Sequence, residues 1–530
     1  MHTGHRMGLH GIGIALALLL AAPAIAAPAD MLRIGNGPEP ETLDPHRAEG
    51  VSAGNIVRDL YEGLTAIAAD GSAVPAAARS WSISADGRTY RFELRDDLCW
   101  SNGEAVSAED FAAGLRRSVT PATGSAFAQM LAPIRNASAV IEGRLPPAQL
   151  GVSAPDARTL VIELETPAPH LPGLLSHPST FPLHRPSLRV HGAAFARAGR
   201  LVGNGAYRLE QWVMQSHVEL ERSSCYRAPA AIARVRYVVT EDIHSELKRY
   251  RAGELDVTYE IPPVQAAQIR RERPQQLRVA PYLGVYYYGL NLTRAPFAGA
   301  PGLRRALSMV IDREVIAEKA LHGLALPAYG WVPPGTAGHT PQRPEWAQWP
   351  YARRVAEAQR LYREAGYSDA APLAVEIRYN THESHRRVAT VVAAMWKQTL
   401  GVQVRQVNEE FKVFLHNRRL REATQVFRAA WMADYDDPSS FFGILHSAHG
   451  KNDSGWRSAR YDALLAEASA TADAHARALL WQQAERRIFD EVPVIPIYFY
   501  VSKHLVSPRV RGWTDNLLDY HYSKDLRLAQ

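Results

Sequence analysis

Apolar and polar positions change rhythm several times along this chain, and each change marks an element. Tyr90, Phe92 and Leu94 alternate with Arg91 and Glu93, downstream of Trp81 and a turn signal at Asp86-Gly87. Such alternation predicts a half-buried strand. Asn102-Gly103 is another turn signal. Ser107-Ala108-Glu109-Asp110 has the spacing of a capping box opening a helix, with Asp110 where Glu or Gln is usual. Residues 159–165 and 206–222 read as strands of an antiparallel sheet; in the second, His217, Glu219 and Glu221 alternate with Val218 and Leu220.

In the C-terminal half the rhythm alternates between strand and helix. Residues 351–365 form an amphipathic helix with Val355, Ala358, Leu361 and Tyr362 on its apolar face, ending at Gly366. Leu373, Val375, Ile377 and Tyr379 then alternate as a strand, residues 384–399 carry a helical pattern stopped by Gly401, and residues 402–407 return as a strand. This is a βαβ unit. A helical stretch at 409–420 leads to another strand, Ala423 to Trp431, so Asp434 falls just past its carboxyl end. In open α/β sheets ligands bind there. The segment FRAAWMADYDDPSSFF (427–442) thus gathers Arg428, Trp431 and Asp434 at one strand end. A positive group, an aromatic wall and a negative group suit a zwitterion. A surface arginine, a core tryptophan and an Asx-type turn at Asp436-Asp437-Pro438 would explain the same residues by structure alone.

The N-terminus sets the compartment. Arg6, flanked by His2, His5 and His10, precedes an apolar run from Gly11 to Ala22 and a small-x-small site at Ala24-Ile25-Ala26. That is a secretory signal peptide, residues 1–26, too short for a span. No later apolar run reaches the ~20 residues a span needs, so no stable membrane insertion is expected. The remaining length exceeds one core and implies two or three domains. Hydrophobic residues make up 46% and charged residues 22%, as in ordinary globular proteins. Net charge is +6 with no Lys/Arg run of nucleic-acid type, so no nucleic-acid partner is expected. Cys99 and Cys225 lie far apart; in an oxidising compartment they are able to pair, and the sequence leaves this open.

Catalytic signatures are absent from the sequence: no G-x-S-x-G, H-E-x-x-H, Walker or dinucleotide motif occurs after residue 26. His382 and His385 are three apart, but His382 precedes the helix start and no third ligand is evident. Asp434, Asp436 and Asp437 lack the glycine and distal glutamate of a calcium loop. Neither cofactor nor metal is expected, and the chain reads as a binding protein rather than an enzyme.

Ordered segments resemble one family nearly end to end. ETLDPHRAEGV (41–51), RDLYEGL (58–64), YRFELRDDLCWSNGEAVSAEDF (90–111), HPSTFP (177–182), NGAYRLEQWV (204–213), YLGVYYYGLN (282–291), RRALSMVIDRE (304–314), PAYGWVPP (327–334), EAGY (364–367), YNTHESH (379–385) and AAWMADYDDPSSF (429–441) are similar to the periplasmic oligopeptide-binding proteins of ABC importers, extracellular solute-binding family 5. The resemblance implies an α/β, bilobed fold of the periplasmic-binding-protein type II, cluster C, with three domains and hinge closure. The first lobe would take residues 27–61, 187–283 and 502–530, a satellite domain 62–186, and the second lobe 284–501.

The resemblance also assigns expected roles. Asp434 would pair with a peptide's α-ammonium, and Arg428, Arg419 or His385 would read its carboxylate. Main-chain groups near Glu49-Gly50-Val51 and from Ala430 to Met432 would pair with the ligand backbone as an added strand. Phe127, Tyr282, Tyr287, Phe411 and Trp431 match aromatic pocket positions. Leu321 stands where relatives use a lysine for longer peptides, and Gly284 and Met432 stand where many have a cysteine pair. The Thr258–Pro262 segment differs from the usual asparagine-rich version, and Glu260 within it is a candidate reader of a cationic group. These departures leave room for the murein-tripeptide branch, whereas Asp434 favours peptides over the nickel and haem branches. The expectation is a periplasmic monomer that captures short peptides for an inner-membrane ABC permease. A periplasmic peptide hydrolase, or a chaperone or sensor using the same cleft, are the rivals from other classes.

Overall fold

The computed structural model describes residues 1–2, 30–471 and 473–529. The expected signal peptide falls almost wholly outside these residues. No helix among the described residues is long and apolar enough to cross a membrane.

Three sheets organise the chain. In the first, Met31–Gly35 pairs in parallel with Arg234–Val238, which continues antiparallel to His217–Arg222 and Tyr207–Val213. The alternation at 217–221 is realised: Val218 and Leu220 are buried, and Glu219, on the other face, is held by Arg236 at 2.7 Å. The second sheet orders Ala78–Ile83, Thr89–Leu94, Thr159–Glu163 and Val152–Ser153, all antiparallel, with Trp81 opposite Phe92. The capping box opens helix Ala108–Val119, where the Ser107 amide donates to Asp110 Oδ2 at 2.9 Å. These two sheets share one apolar core, and a Cys99–Cys225 disulfide, with Cα atoms 5.9 Å apart, ties them together. That separation is ordinary for a disulfide and closes the question the sequence left open.

The third sheet runs Leu326–Pro327, Val494–Leu505, Leu277–Leu290, Val426–Met432, Ala374–Asn380 and Gln403–Glu409. Its βαβ unit is the expected one: helix Glu383–Leu400 links parallel strands, and Gly401 ends it in the left-handed region at φ 73°. A side chain is strained there and glycine is not. Cores cover both faces, so Tyr286 and Tyr288 pack to one side and Val285 and Tyr287 to the other.

Two of these strands, Leu277–Leu290 and Val494–Leu505, are long enough to leave the third sheet. Their far ends bury Val501 and Leu505 against Val238, Leu247 and Tyr250 behind the first sheet. Their mutual register breaks between Pro281 and Val285. They are a two-strand connection between the first and third sheets, and a large cleft lies beside them.

Candidate functional site

The cleft encloses a cavity of about 2080 Å³, above the ~300–1,000 Å³ of small-molecule pockets. Every residue expected from the sequence lines it: Glu49, Gly50, Val51, Phe127 and Glu260 on the side of the first two sheets, and Tyr282, Tyr287, His385, Phe411, Arg419, Arg428, Ala430, Trp431, Met432 and Asp434 on the side of the third. Their environments, however, differ sharply.

Asp434 follows strand Val426–Met432 and is 9% exposed. Its amide is fixed by Ser440 Oγ at 3.0 Å, which aims the side chain inward. Among the described residues no arginine or lysine lies within ion-pair distance of the carboxylate; its close neighbour is His177 Nε2 at 3.4 Å. The Ser179 amide donates to His177 Nδ1, so Nε2, the nitrogen nearer Asp434, carries the hydrogen. Burial, with Arg58 as the next influence, takes the His177 pKa down to about 3, so this ring is neutral. Burial raises the Asp434 pKa to about 7, against the pull of Arg58 and Lys451. A carboxylate so placed gains strongly from a cation brought in beside it.

Six residues earlier, Arg428 carries the opposite charge on the same strand. Its guanidinium donates to Tyr500 at 3.1 Å, lies 3.4 Å from Asn380 Oδ1, and sits over the Tyr286 ring. Among the described residues no carboxylate reaches it. His385 lies nearby, buried against Tyr286 and His382. Burial, then Arg428, holds its pKa well below the usual range, so it offers a hydrogen bond rather than a charge. Arg58, which the sequence did not single out, stacks on Tyr520 at 3.6 Å and likewise has no carboxylate partner among the described residues.

The other charged candidates are already paired. Arg419 donates to both oxygens of Glu49, at 3.0 and 2.8 Å, and Lys451 contacts the same carboxylate. Burial opposes the Glu49 charge, but Lys451 and Arg419 outweigh it and hold its pKa below the ordinary value. This cluster joins the two walls, and in it Arg419 is paired with Glu49. Glu260 faces Lys503 at 3.6 Å, and Arg418 binds Asp453 at 2.7 Å.

Main-chain edges differ in the same way. Strand Val426–Met432 pairs along its length with Leu277–Leu290, but Ala374–Asn380 reaches only Val426 and Phe427 on its other side. Inward- and outward-bonding residues alternate in antiparallel pairs. Ala433 donates to Leu283 and Asn291 to Gln425, so odd-numbered residues bond inward and Ala430 and Met432 turn their N–H and C=O groups to the free edge. The opposite segment is less available than expected. The Glu49 and Gly50 amides donate to Glu41 Oε1, and the Gly50 carbonyl accepts from Gly54.

Aromatic groups complete the walls. The Phe127 ring lies 4.6 Å from His177, Tyr282 meets Tyr500 edge-on at 6.4 Å, and Trp431 Nε1 faces Ser440 Oγ at 3.4 Å. Tyr287 packs edge-on against Trp331 and is largely core, whereas Phe411 is 39% exposed at the start of its helix. His382 caps helix Glu383–Leu400 by accepting from the Ser384 amide, in keeping with its expected place just before the helix start. Sequence reasoning also passed over His177, Lys451 and Tyr500; only their convergence in space marks them.

Comparison with known proteins accords with this geometry. The description "Bacterial extracellular solute-binding proteins, family 5 Middle" matches residues 72–453. The periplasmic oligopeptide-binding protein OppA of Escherichia coli (strain K12) is 36% identical over 523 residues, covering 98% of this chain and 96% of that protein. The Escherichia coli murein tripeptide binding protein MppA superposes with a TM-score of 0.91 at 35% identity, over 94% of this chain and 98% of the other. Haemophilus influenzae OppA in complex with RPPGFSPFR superposes at 0.90 and 35%, over 94% and 99%.

Proposed function

The chain belongs to the bacterial extracellular solute-binding proteins of family 5, and from that premise we propose that it is a periplasmic receptor that captures short oligopeptides and hands them to an inner-membrane ABC permease. The observation that carries this reading is the strand Val426–Met432 with its continuation. It presents a buried carboxylate at Asp434, a half-buried guanidinium at Arg428 and a free main-chain edge at Ala430 and Met432 between them. Six strand residues span about 20 Å. Allowing for the arginine's reach, an extended peptide of a few residues fits this frame with its ammonium at Asp434 and its carboxylate at Arg428. Its backbone adds as a strand, which makes affinity largely independent of side chains.

Closure follows from the same architecture. The lobes take residues 27–61, 187–283 and 502–530 against 284–501, with 62–186 as a satellite. The register break between Pro281 and Val285 interrupts the pairing of the two connecting strands and is our candidate hinge. The Glu49, Arg419 and Lys451 cluster latches the closed state. The receptor works as a monomer and does no chemistry on its ligand.

Calorimetric titration of protein unfolded and refolded to strip endogenous ligand tests the proposal, using a tri- or tetrapeptide, its N-acetylated twin and the murein tripeptide. Tight binding of the free peptide, lost on acetylation, is expected. Preference for the murein tripeptide would move the protein to the cell-wall recycling branch, and no binding by any of the three would overturn the peptide reading.

A further inference from the structure

Beside the cleft, a second constellation has no part in the proposed peptide frame. His504, on the long strand Val494–Leu505, and Asp519 and His521, on the C-terminal segment, bring their ligand atoms within 4.8 Å of one another. His504 Nε2 lies 3.0 and 2.9 Å from the two Asp519 oxygens, and His521 Nε2 lies 3.0 Å from Asp519 Oδ1. Both imidazoles therefore converge on one carboxylate.

The orientation of His504 is the decisive detail. Its Nδ1 lies 2.8 Å from the Thr258 carbonyl oxygen. A carbonyl only accepts, so Nδ1 carries a hydrogen. In the neutral ring Nε2 is then a lone pair aimed at Asp519, which also only accepts. Something positive must lie between them, either a further proton or a metal ion. An imidazole whose other nitrogen donates to a backbone carbonyl is the usual outer support of a metal-bound histidine. Trp513 stacks on His521 at 3.6 Å and fixes that ring as well. His504 is buried, and Asp519 opens on the cavity, which supplies a route of entry.

We propose that His504 Nε2, the Asp519 carboxylate and His521 Nε2 form a binding site for one divalent transition-metal ion of the zinc class. Two histidines and a carboxylate are a donor set that suits zinc and its neighbours, and three protein ligands leave a position for water. On binding, the proton between His504 Nε2 and Asp519 leaves to solvent, the His521 ring moves its hydrogen from Nε2 to Nδ1, and three metal–ligand bonds form. The site joins the C-terminal segment to the connecting strand.

The test is titration of chelator-stripped full-length protein with Zn²⁺ by calorimetry and elemental analysis, and with Cu²⁺ by tryptophan fluorescence. One saturable ion per chain is expected, and His521→Gln should weaken it by at least ~10-fold, the scale of losing even an outer-shell partner. Trp513→Phe should keep the stoichiometry while removing most of the Cu²⁺ quench. Peptide titration of the same samples reports on the cleft separately. The proposal is overturned by no saturable binding, by binding unchanged in both His521→Gln and Asp519→Asn, or by binding lost in His382→Gln instead. Should Asp519→Asn fail to fold, His521→Gln decides alone.

Discussion

Charges on the cleft walls fall into two sets that residue type alone does not separate. Glu49, Glu260, Arg418 and Arg419 each have an opposite charge within 4 Å, whereas Asp434 and Arg428 have none among the described residues. The paired set joins parts of the protein to one another, and in the Glu49 cluster it joins the two walls. Asp434 and Arg428 sit on one strand and its continuation, and Arg58 on helix Val51–Leu60 is unpaired as well among the described residues; an uncompensated charge in such a place is costly. A protein keeps such groups where a ligand completes them, so pairing status rather than charge distinguishes ligand readers from latches.

The largest break in this comparison should come from Asp434→Asn. Removing one partner of a buried charge pair costs ~3–5 kcal/mol, so a free-amine tripeptide should lose about 100- to 1,000-fold or more in affinity. The acetylated peptide should bind the variant and the parent alike. Calorimetry with both ligands and both proteins gives the coupling energy directly, and equal losses for the two peptides would remove Asp434 from the ammonium site.

The same contrast predicts a pH dependence. With its pKa near 7 in the free protein, Asp434 is protonated below neutrality and must ionise to receive an ammonium. Binding therefore releases a proton, and affinity falls about tenfold per pH unit below 7, to about 100-fold at pH 5. Acetylated peptide should show no such slope. A free-amine peptide that binds equally at pH 5 and pH 7.5 would argue that the ammonium sits elsewhere. At the other end, Arg428→Gln should cost ~1.5–3 kcal/mol, the scale of hydrogen bonds to a charged group. The loss should be smaller for a C-terminally amidated peptide, and a uniform loss would make Arg428 a structural residue.

How far the sequence anticipates this can be argued residue by residue. The elements are legible because the hydrophobic period is local: Tyr90–Leu94, helix Glu383–Leu400 with its Gly401 stop, and the strand leading to Asp434 all lie where the pattern puts them. The cleft residues are legible through resemblance, and all of them reach one cavity. Pairing is not legible, because it depends on which distant side chains meet. Arg419 meets Glu49 across 370 positions, Cys99 meets Cys225 across 126, and the Glu49 and Gly50 amides are taken by Glu41. His504, Asp519 and His521 carry no metal motif in sequence, since turns rather than a fixed helical spacing bring them together.

The smallest effect should come from the paired set. Glu49→Gln leaves both ligand-facing charges in place and removes only the bridge between the walls. Arg419 is about half exposed and Glu49 about a quarter exposed, so solvent screening limits the bridge to ~1 kcal/mol or less. The substitution should weaken free, acetylated and amidated peptides by the same factor of about fivefold or less, mainly through faster dissociation as the closed state opens more often. Stopped-flow dissociation rates, with small-angle scattering of the peptide-free protein, would measure both. Raised salt should mimic the substitution in the parent and have little further effect in the variant. An effect confined to one peptide end would instead make Glu49 a ligand reader and dissolve the distinction between the two sets.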